Sequence, residues 1–276
     1  MRFFKDLFLG LKAYIKAIRF IRTHKLYWFF IPPAILMLIL YKLGNHLQER
    51  QTEIEADSMN GIVWSLIRML IEITIGLTLM KFAKYLVVII LSPLLSYLSM
   101  KCEKILTGKT YPFDLKQLMK DIIRGMRIAF RNILWHYFFF TIIYLISYFG
   151  WEDPTSSPVF YMTFIIGFFY YGFSFLDYVN ERMDLNVEES IVFMRQHRGL
   201  VVGIGMIYSL MILVPVNISI LFSGEHFSDG FLTGLSSYIV QLILWISAAC
   251  APILAIVAAT LAMHDLVDLK KSTRKI

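Results

Sequence analysis

The chain of 276 residues is strongly apolar, since 58% of its residues are hydrophobic, 17% are charged and the mean hydropathy is +0.63. Several apolar runs are long enough to cross a bilayer, which is typical of a polytopic integral membrane protein. The polar stretches are too short for a soluble domain, so we expect one membrane domain over residues 1–276. The net charge of +7 does not indicate nucleic-acid binding, because the basic residues flank apolar runs, where they orient the chain or contact anionic lipid headgroups.

Catalytic and metal-binding motifs are missing from the sequence. Cys102 and Cys250 are the only cysteines, and their surroundings favour apolar filling over a disulfide framework. There is no metalloprotease histidine pair, serine elbow, phosphate-binding loop or paired-carboxylate arrangement. We therefore expect neither an enzyme nor a bound cofactor or metal.

Residues 1–25 have the pattern of an amphipathic helix. Large apolar side chains recur on one face: Phe4, Phe8, Leu11, Ile15, Ile18 and Ile21. Basic side chains occupy the other: Lys5, Lys12, Lys16, Arg19 and Arg22. This pattern predicts a basic helix that lies on the membrane surface.

The remaining apolar runs predict an all-α membrane bundle over 26–264. The first span, 26–41, contains Pro32 and Pro33, so we expect a bent or broken start. The later runs lie at 61–100, 133–149, 159–176, 200–222 and 231–263. The last of them is long for one span and is interrupted by Pro252. Whether 85–100 and 231–264 are full spans or partly inserted helices stays open at this stage.

The run 61–100 would form a helix of about 60 Å, roughly twice the hydrocarbon thickness of a bilayer. We place one crossing at 61–80, where Lys81 and Lys84 reach the inner interface. Residues 85–100 then form a re-entrant or partly inserted arm that breaks at Pro93.

Counting Lys and Arg residues supports one crossing in this run. The segments 1–25 and 101–131 carry seven and eight, whereas the connections 42–60 and 150–158 carry two and none. By the positive-inside rule, these two groups lie on opposite sides of the membrane only if 61–100 crosses once. The prediction is about six crossings, with both termini, including the tail 265–276, in the cytoplasm.

Polar residues inside or at the ends of apolar runs are candidate site residues. Arg68 and Glu72 lie four residues apart on one helical face, where they either neutralise each other within the bundle or line an ion path. Asp177, at the end of a run, has three open roles: capping a helix, pairing with Arg182, or facing a permeation path. Asn217 follows Pro215 by two residues and is expected to hydrogen-bond the backbone that the proline frees.

Four phrases in order resemble the CysZ-like sulfate permeases of bacteria and the related etoposide-induced membrane proteins. The phrases are Ser92-Pro93 with Glu103 and Leu106-Thr107-Gly108; Asp177-Tyr178 with Phe193, Arg195, His197 and Arg198; Gly203 or Gly205 with Pro215 and Asn217; and Pro252 with Ala259-Thr260. The resemblance implies long helices together with partly penetrating ones, homo-oligomeric assembly, and passive sulfate entry across the bacterial inner membrane. It adds Glu103 to the candidate substrate-binding residues.

Two departures from this resemblance bear on the substrate. The permeases carry a Gly-x-Arg-Arg phrase before the first span, where this chain has Lys25, Leu26, Tyr27 and Trp28. Neither arginine is present, so His24 and Lys25 are the nearest substitutes. The second departure is an insertion at 219–247. We therefore keep two hypotheses: a passive or ion-coupled permease for sulfate or another small anion, and a non-transporting membrane scaffold that organises partner proteins or lipids.

Topology reporters test the six-crossing prediction. Fusions after Asn45, Ser156 and Gly224 should report the outer side, and a fusion after Ile276 should report the cytoplasm, because the basic segments stay inside. A cytoplasmic signal at Ser156 would mean that the run 61–100 crosses twice.

Overall fold

The computed structural model describes residues 2–49, 86–109, 115–212, 216, 218–222, 231–267 and 269, and this part of the chain is helical, with no β-strand. The predicted all-α fold is therefore confirmed. The helices are α1 (Arg2–Thr23), α2 (Ile31–Glu49), α3 (Ser92–Thr107), α4 (Leu115–Gly150), α5 (Met162–Arg182), α6 (Val187–Gln196), α7 (Arg198–Met211), α8 (Ile218–Phe222) and α9 (Phe231–Val267). Short 3-10 helices lie at Tyr27–Phe30 and Pro154–Ser156.

Three of the described helices are long and apolar enough to cross a membrane: the part of α4 at Ile123–Gly150, α5 and α9. The entry to the first predicted span is bent, since the chain turns by 118° between α1 and the segment Tyr27–Leu40, but the bend precedes Pro32 and Pro33 and is not caused by them. Pro32 and Pro33 lie in the first turn of α2, where a missing N–H breaks no helical hydrogen bond. These apolar helices make the chain an integral membrane protein.

The C-terminal third differs from the predicted spans in two ways. The described part of the run 200–222 is divided between α7, of 14 residues, and α8, of five residues. At about 21 Å, α7 is shorter than the hydrocarbon layer. The predicted interruption at Pro252 is wrong, because Pro252 is buried inside α9, which continues for 37 residues. The crossing predicted at 61–80 lies outside the described residues.

The predicted break at Pro93 is confirmed. Residues 86–90 are helical, Leu91 is a turn, and α3 begins at Ser92 with Pro93 in its first turn. Gly108 ends α3 with φ 78°, and its N–H donates to the Lys104 carbonyl (2.9 Å). The segment is therefore two helical pieces, and the second is 16 residues long.

Glycines allow α7 to lie unusually close to both α1 and α5. A Cβ added to Gly205 would stand 1.7 Å from the Phe168 carbonyl oxygen, and one added to Gly199 would stand 2.0 Å from the Phe3 carbonyl oxygen. A Cβ on Gly172, in α5, would stand 1.9 Å from the Val201 carbonyl oxygen. The glycines of α7 therefore serve close helix packing.

The inner face of α1 is not the one that its large apolar residues suggest. The buried residues of α1 form one stripe, and half of them are glycine or alanine: Asp6, Gly10, Ala13, Tyr14, Ala17 and Ile21. Of the predicted apolar face, Ile21 is buried, whereas Phe4, Phe8, Ile15 and Ile18 are exposed. Close approach to α7 selects the small residues, because Gly10 faces the backbone of 200–204.

Alanine substitutions test the glycine contacts. Gly172→Ala and Gly205→Ala should each destabilise the protein strongly, because a Cβ there overlaps backbone atoms that belong to a neighbouring helix. Gly125→Ala is the matched control inside a helix, since its Cβ would have ordinary contacts at 3.7 and 3.9 Å. Thermal unfolding of the detergent-solubilised variants measures the difference. Equal melting temperatures for all three variants would contradict the packing.

Candidate functional site

The C-terminal half of α5 carries ionisable and polar side chains into the interior. Asp177 is 4% exposed, Asn180 is fully buried and Arg182 is 6% exposed. Burial of such groups is costly unless each finds a hydrogen-bond partner or an opposite charge. Their side-chain partners come from α3, α4 and α6, and α9 joins through Thr260, which contacts Ser99 of α3.

Arg182 is held by two side chains of α3 and by one carbonyl of its own helix. Its Nε donates to Glu103 Oε2 of α3 (2.5 Å), and the two side chains are each 5% exposed. Its Nη1 donates to the Tyr178 carbonyl (2.8 Å), and its Nη2 donates to Ser99 Oγ (2.6 Å). Each of the three nitrogens of this buried guanidinium therefore donates a hydrogen bond.

The hydroxyls next to Arg182 form a directed chain. Arg182 can only donate, so Ser99 Oγ accepts from it and gives its own hydrogen to Thr260 Oγ1 of α9, 2.6 Å away. Thr260 in turn donates to the Ile256 carbonyl (2.9 Å). The chain links α5 through α3 to α9.

Asp177 forms a second buried ion pair, with Arg124 of α4. Arg124 Nε and Nη2 donate to the two carboxylate oxygens, both at 3.1 Å, which is the bidentate geometry that arginine favours. Its Nη1 donates to the Leu185 carbonyl (2.7 Å) in the connection that leads to α6. Ser190 Oγ donates to Asp177 Oδ1 (2.6 Å) and accepts from Asn180 Nδ2 (2.8 Å).

We call these eight residues the α5 polar cluster: Ser99, Glu103, Arg124, Asp177, Asn180, Arg182, Ser190 and Thr260. The cluster contains two arginines and two carboxylates, so its formal charge is zero. Neutral pairing is what a low-dielectric interior demands of buried ions. An anion that enters would have to replace a carboxylate as the partner of an arginine.

Two of the predicted site residues, Glu103 and Asp177, meet in the cluster. Of the roles left open for Asp177, pairing with Arg182 is wrong: Asp177 pairs with Arg124, and Arg182 pairs with Glu103. Ser99, Arg124, Arg182, Ser190 and Thr260 were not predicted as site residues. The available signals were the i, i+4 spacing of Ser99 and Glu103 and the presence of Thr260 in the last resemblance phrase.

His24 and Lys25 lie where α1 ends, in a second candidate site. The Leu26 N–H donates to the Ile21 carbonyl (3.1 Å) and the Lys25 N–H donates to the Arg22 carbonyl (3.4 Å), which is the Schellman pattern. Lys25 takes the left-handed position, with φ 54°, that such a cap normally gives to glycine. The loop therefore keeps the backbone of a glycine turn with a lysine in it, and that lysine is exposed.

The Tyr27–Phe30 helix after this turn packs against α3. The rings of Phe29 and Tyr97 stack with centroids 6.0 Å apart, and Lys101 Nζ lies 5.4 Å from the centroid of the Phe29 ring. Lys101 is therefore a second cation near the turn that sequence reasoning did not select. Both candidate sites border α3, since Glu103 follows Lys101 by two residues on the same helix.

The basic cluster of the second resemblance phrase has a structural role at His197. Its Nδ1 lies 3.0 Å from Asp6 Oδ2, and its Nε2 lies 3.1 Å from Arg2 Nη2. Carboxylates only accept and guanidinium groups only donate, so this geometry fits the neutral ring with hydrogen on Nδ1. His197 thereby joins the start of α7 to α1.

The remaining predicted site residues, Arg68, Glu72, Pro215 and Asn217, lie outside the described residues. A cleft beside Asp177, lined in part by Val88, Gly125 and Ser174, has room for about one water molecule. Passage of a larger oxyanion through this cleft would require the surrounding helices to move.

Removal of one partner from the Glu103–Arg182 pair tests its burial. Arg182→Met should cost about 3–5 kcal/mol of unfolding free energy, because it leaves the Glu103 carboxylate buried without its partner. The double variant Glu103→Gln with Arg182→Met should recover part of this loss. Unfolding of the purified protein in mixed detergent micelles measures both.

The exposed pair Lys16–Asp265 provides the control, since its side chains are 56% and 35% exposed. Lys16→Met should cost at most about 1 kcal/mol. If Arg182→Met costs no more than Lys16→Met, the interior assigned to the cluster is accessible to water.

Comparison with known proteins places these features in a family. No curated protein matches the chain significantly. The family model described as sulfate transporter CysZ/Etoposide-induced protein 2.4 matches residues 13–223, which is more than half of the chain and includes the first three resemblance phrases. The chain belongs to the sulfate transporter CysZ/Etoposide-induced protein 2.4 family.

Proposed function

We propose that this protein is a passive or ion-coupled permease for sulfate or another small anion in the bacterial inner membrane, working as a homo-oligomer with both termini in the cytoplasm. The observation that carries the proposal is the pair of arginines held among the helices of a membrane protein, each paired with a carboxylate. Membership of a family that is named after a sulfate transporter supports the choice of anion.

The buried arginines supply the chemistry that an anion needs. In an apolar interior an unpaired anion is strongly disfavoured, and guanidinium groups bind tetrahedral oxyanions through paired N–H donors. Arg124 meets Asp177 with such a pair of donors. A permeating anion would exchange with the carboxylate, so the arginine keeps a negative partner throughout.

Interrupted helices support the same function. Two helices of the described chain are short: α3 begins at Ser92 beside Pro93, and α7 ends after 14 residues. Helix ends expose backbone N–H groups or carbonyls that have no partner in the helix, and N-terminal ends favour anions. Membrane transporters commonly place such ends near their substrates.

The turn before α2 supports a role for Lys25 as an approach site. Its backbone has the left-handed geometry of a glycine, and its side chain is exposed, with Lys101 on the neighbouring helix. Lysine binds an oxyanion as a point charge and lacks the fork of arginine, so it would hold sulfate more weakly than an arginine pair.

The second candidate function is a non-transporting membrane scaffold that organises proteins or lipids. It is favoured by the tyrosine and tryptophan at 27 and 28, which stand where the resemblance has an arginine pair. In that case the α5 polar cluster would only fix the helices relative to one another.

Flux into proteoliposomes separates the two functions. Radiolabelled sulfate should enter vesicles that contain the protein faster than empty vesicles, and Lys25→Ala should slow this entry several-fold because it removes a cation from the approach. Lys25→Gly removes the same charge but suits the left-handed backbone, so it should slow entry equally.

Lys25→Arg is the charge-retaining control and should preserve the flux. Entry no faster than in empty vesicles would exclude sulfate transport. Co-purification of a stoichiometric partner, with no flux of any anion, would favour the scaffold. Normal flux in Lys25→Ala would remove Lys25 from the site.

A further inference from the structure

Helix α1 presents three separate faces, and the structure decides which one is turned inward. The buried stripe packs on α7 and α9, with Tyr14 Oη donating to the Ile204 carbonyl (2.6 Å). Gly10 and Gly203 leave no room for the helix to rotate, since a Cβ on Gly203 would stand 2.8 Å from the Leu7 carbonyl oxygen. The two other faces of α1 are therefore fixed toward the outside.

The first outer face is made of large apolar side chains. Phe4, Phe8, Ile15 and Ile18 are 63%, 56%, 66% and 57% exposed. At 100° per residue, these four side chains fall within an arc of about 80°. A contiguous apolar patch of this kind on a helix marks a binding surface, because water is an unfavourable neighbour for it.

The second outer face is basic and directly adjoins the apolar one. Lys5, Lys12, Lys16 and Arg19 fall within an arc of about 60° and are all exposed. Lys16 pairs with Asp265 of α9 at 2.5 Å. Among the described residues, no acidic side chain pairs with Lys5, Lys12 or Arg19, so three cations on this face are available to a partner.

The exposed apolar surface continues past the bend into α2. Tyr27 and Trp28 are 53% and 78% exposed at the turn, and these residue types favour the boundary between headgroups and acyl chains. Beyond it, Ile31, Ile35 and Ile39 of α2 are exposed along one helical face. Exposed apolar side chains therefore follow the chain from α1 through the turn into α2.

We propose that α1 is a binding surface for anionic lipid, with Phe4, Phe8, Ile15 and Ile18 in the acyl layer and Lys5, Lys12 and Arg19 on headgroup phosphates. An apolar arc beside a basic arc matches the acyl–headgroup boundary of an anionic leaflet. Because the small-residue face is packed on α7, lipid binding at α1 stabilises the glycine-packed core as well. This inference does not depend on which anion, if any, the protein transports.

Spin labels on the full-length protein in nanodiscs test the apolar face. In a background with Cys102→Ala and Cys250→Ala, labels are placed at Phe8→Cys, Ile15→Cys and Glu188→Cys. The labels at 8 and 15 should collide several-fold more with oxygen than with a water-soluble nickel chelate, and the exposed control at 188 should show the reverse. Access of the chelate to 8 and 15, or exclusion of both reagents by a covering protein surface, would overturn the proposal.

Charge removal tests the headgroup contacts. Phosphatidylglycerol should raise the melting temperature of the wild-type protein above that in phosphatidylcholine. The triple variant Lys5→Gln, Lys12→Gln, Arg19→Gln should lose this difference, with about 100-fold weaker binding of phosphatidylglycerol, since each basic residue contributes about 1 kcal/mol.

The matched control is Lys104→Gln, Lys120→Gln, Arg127→Gln, which removes three exposed cations from α3 and α4. It should keep the phosphatidylglycerol effect. An equal loss in both triple variants would show a general charge effect and would overturn the assignment to α1.

Discussion

The close approach of α7 to α1 on one side and to α5 on the other is the constraint on which the described structure depends. Backbone atoms of neighbouring helices occupy the places where Cβ atoms would stand at Gly172, Gly199 and Gly205. Helices this close bury little apolar side-chain area between them and rely instead on many short van der Waals contacts, a mode suited to a membrane interior, where lipid weakens the hydrophobic drive. The fold therefore tolerates bulk at its lipid-facing surface and very little at this interface.

The close packing of α5 keeps the polar side chains near its C-terminal end inside the protein. Packed in this way, the side chains at 177, 180 and 182 are buried and depend on partners within the protein. Helices α3, α4 and α6 supply the side-chain partners, and the result is a neutral cluster in which each arginine pairs with one carboxylate. Such a cluster stabilises one arrangement of the helices.

The turn at Lys25 has the backbone of a glycine helix cap but carries a lysine. A left-handed residue is required there to complete the cap that ends α1 and to turn the chain by 118° into α2. A lysine at that position satisfies the geometry at some conformational cost. The turn therefore has Lys25 in its left-handed position, and Lys101 lies against Phe29 nearby.

The sequence by itself determined the class of this protein, its helical content and the break at Pro93. These features follow from local rules, because apolar length and proline chemistry act over a few residues and can be read from the chain. Only the tertiary structure decided that Arg182 pairs with Glu103 and Asp177 with Arg124, and that α1 turns its small residues inward. Pairing partners lie 53 and 79 residues apart, so local spacing carries no information about which charge meets which. Close packing against α7 determined the inner face of α1. This contact joins residues 190 apart in sequence, and its steric fit outweighs the hydrophobic pattern of the helix alone.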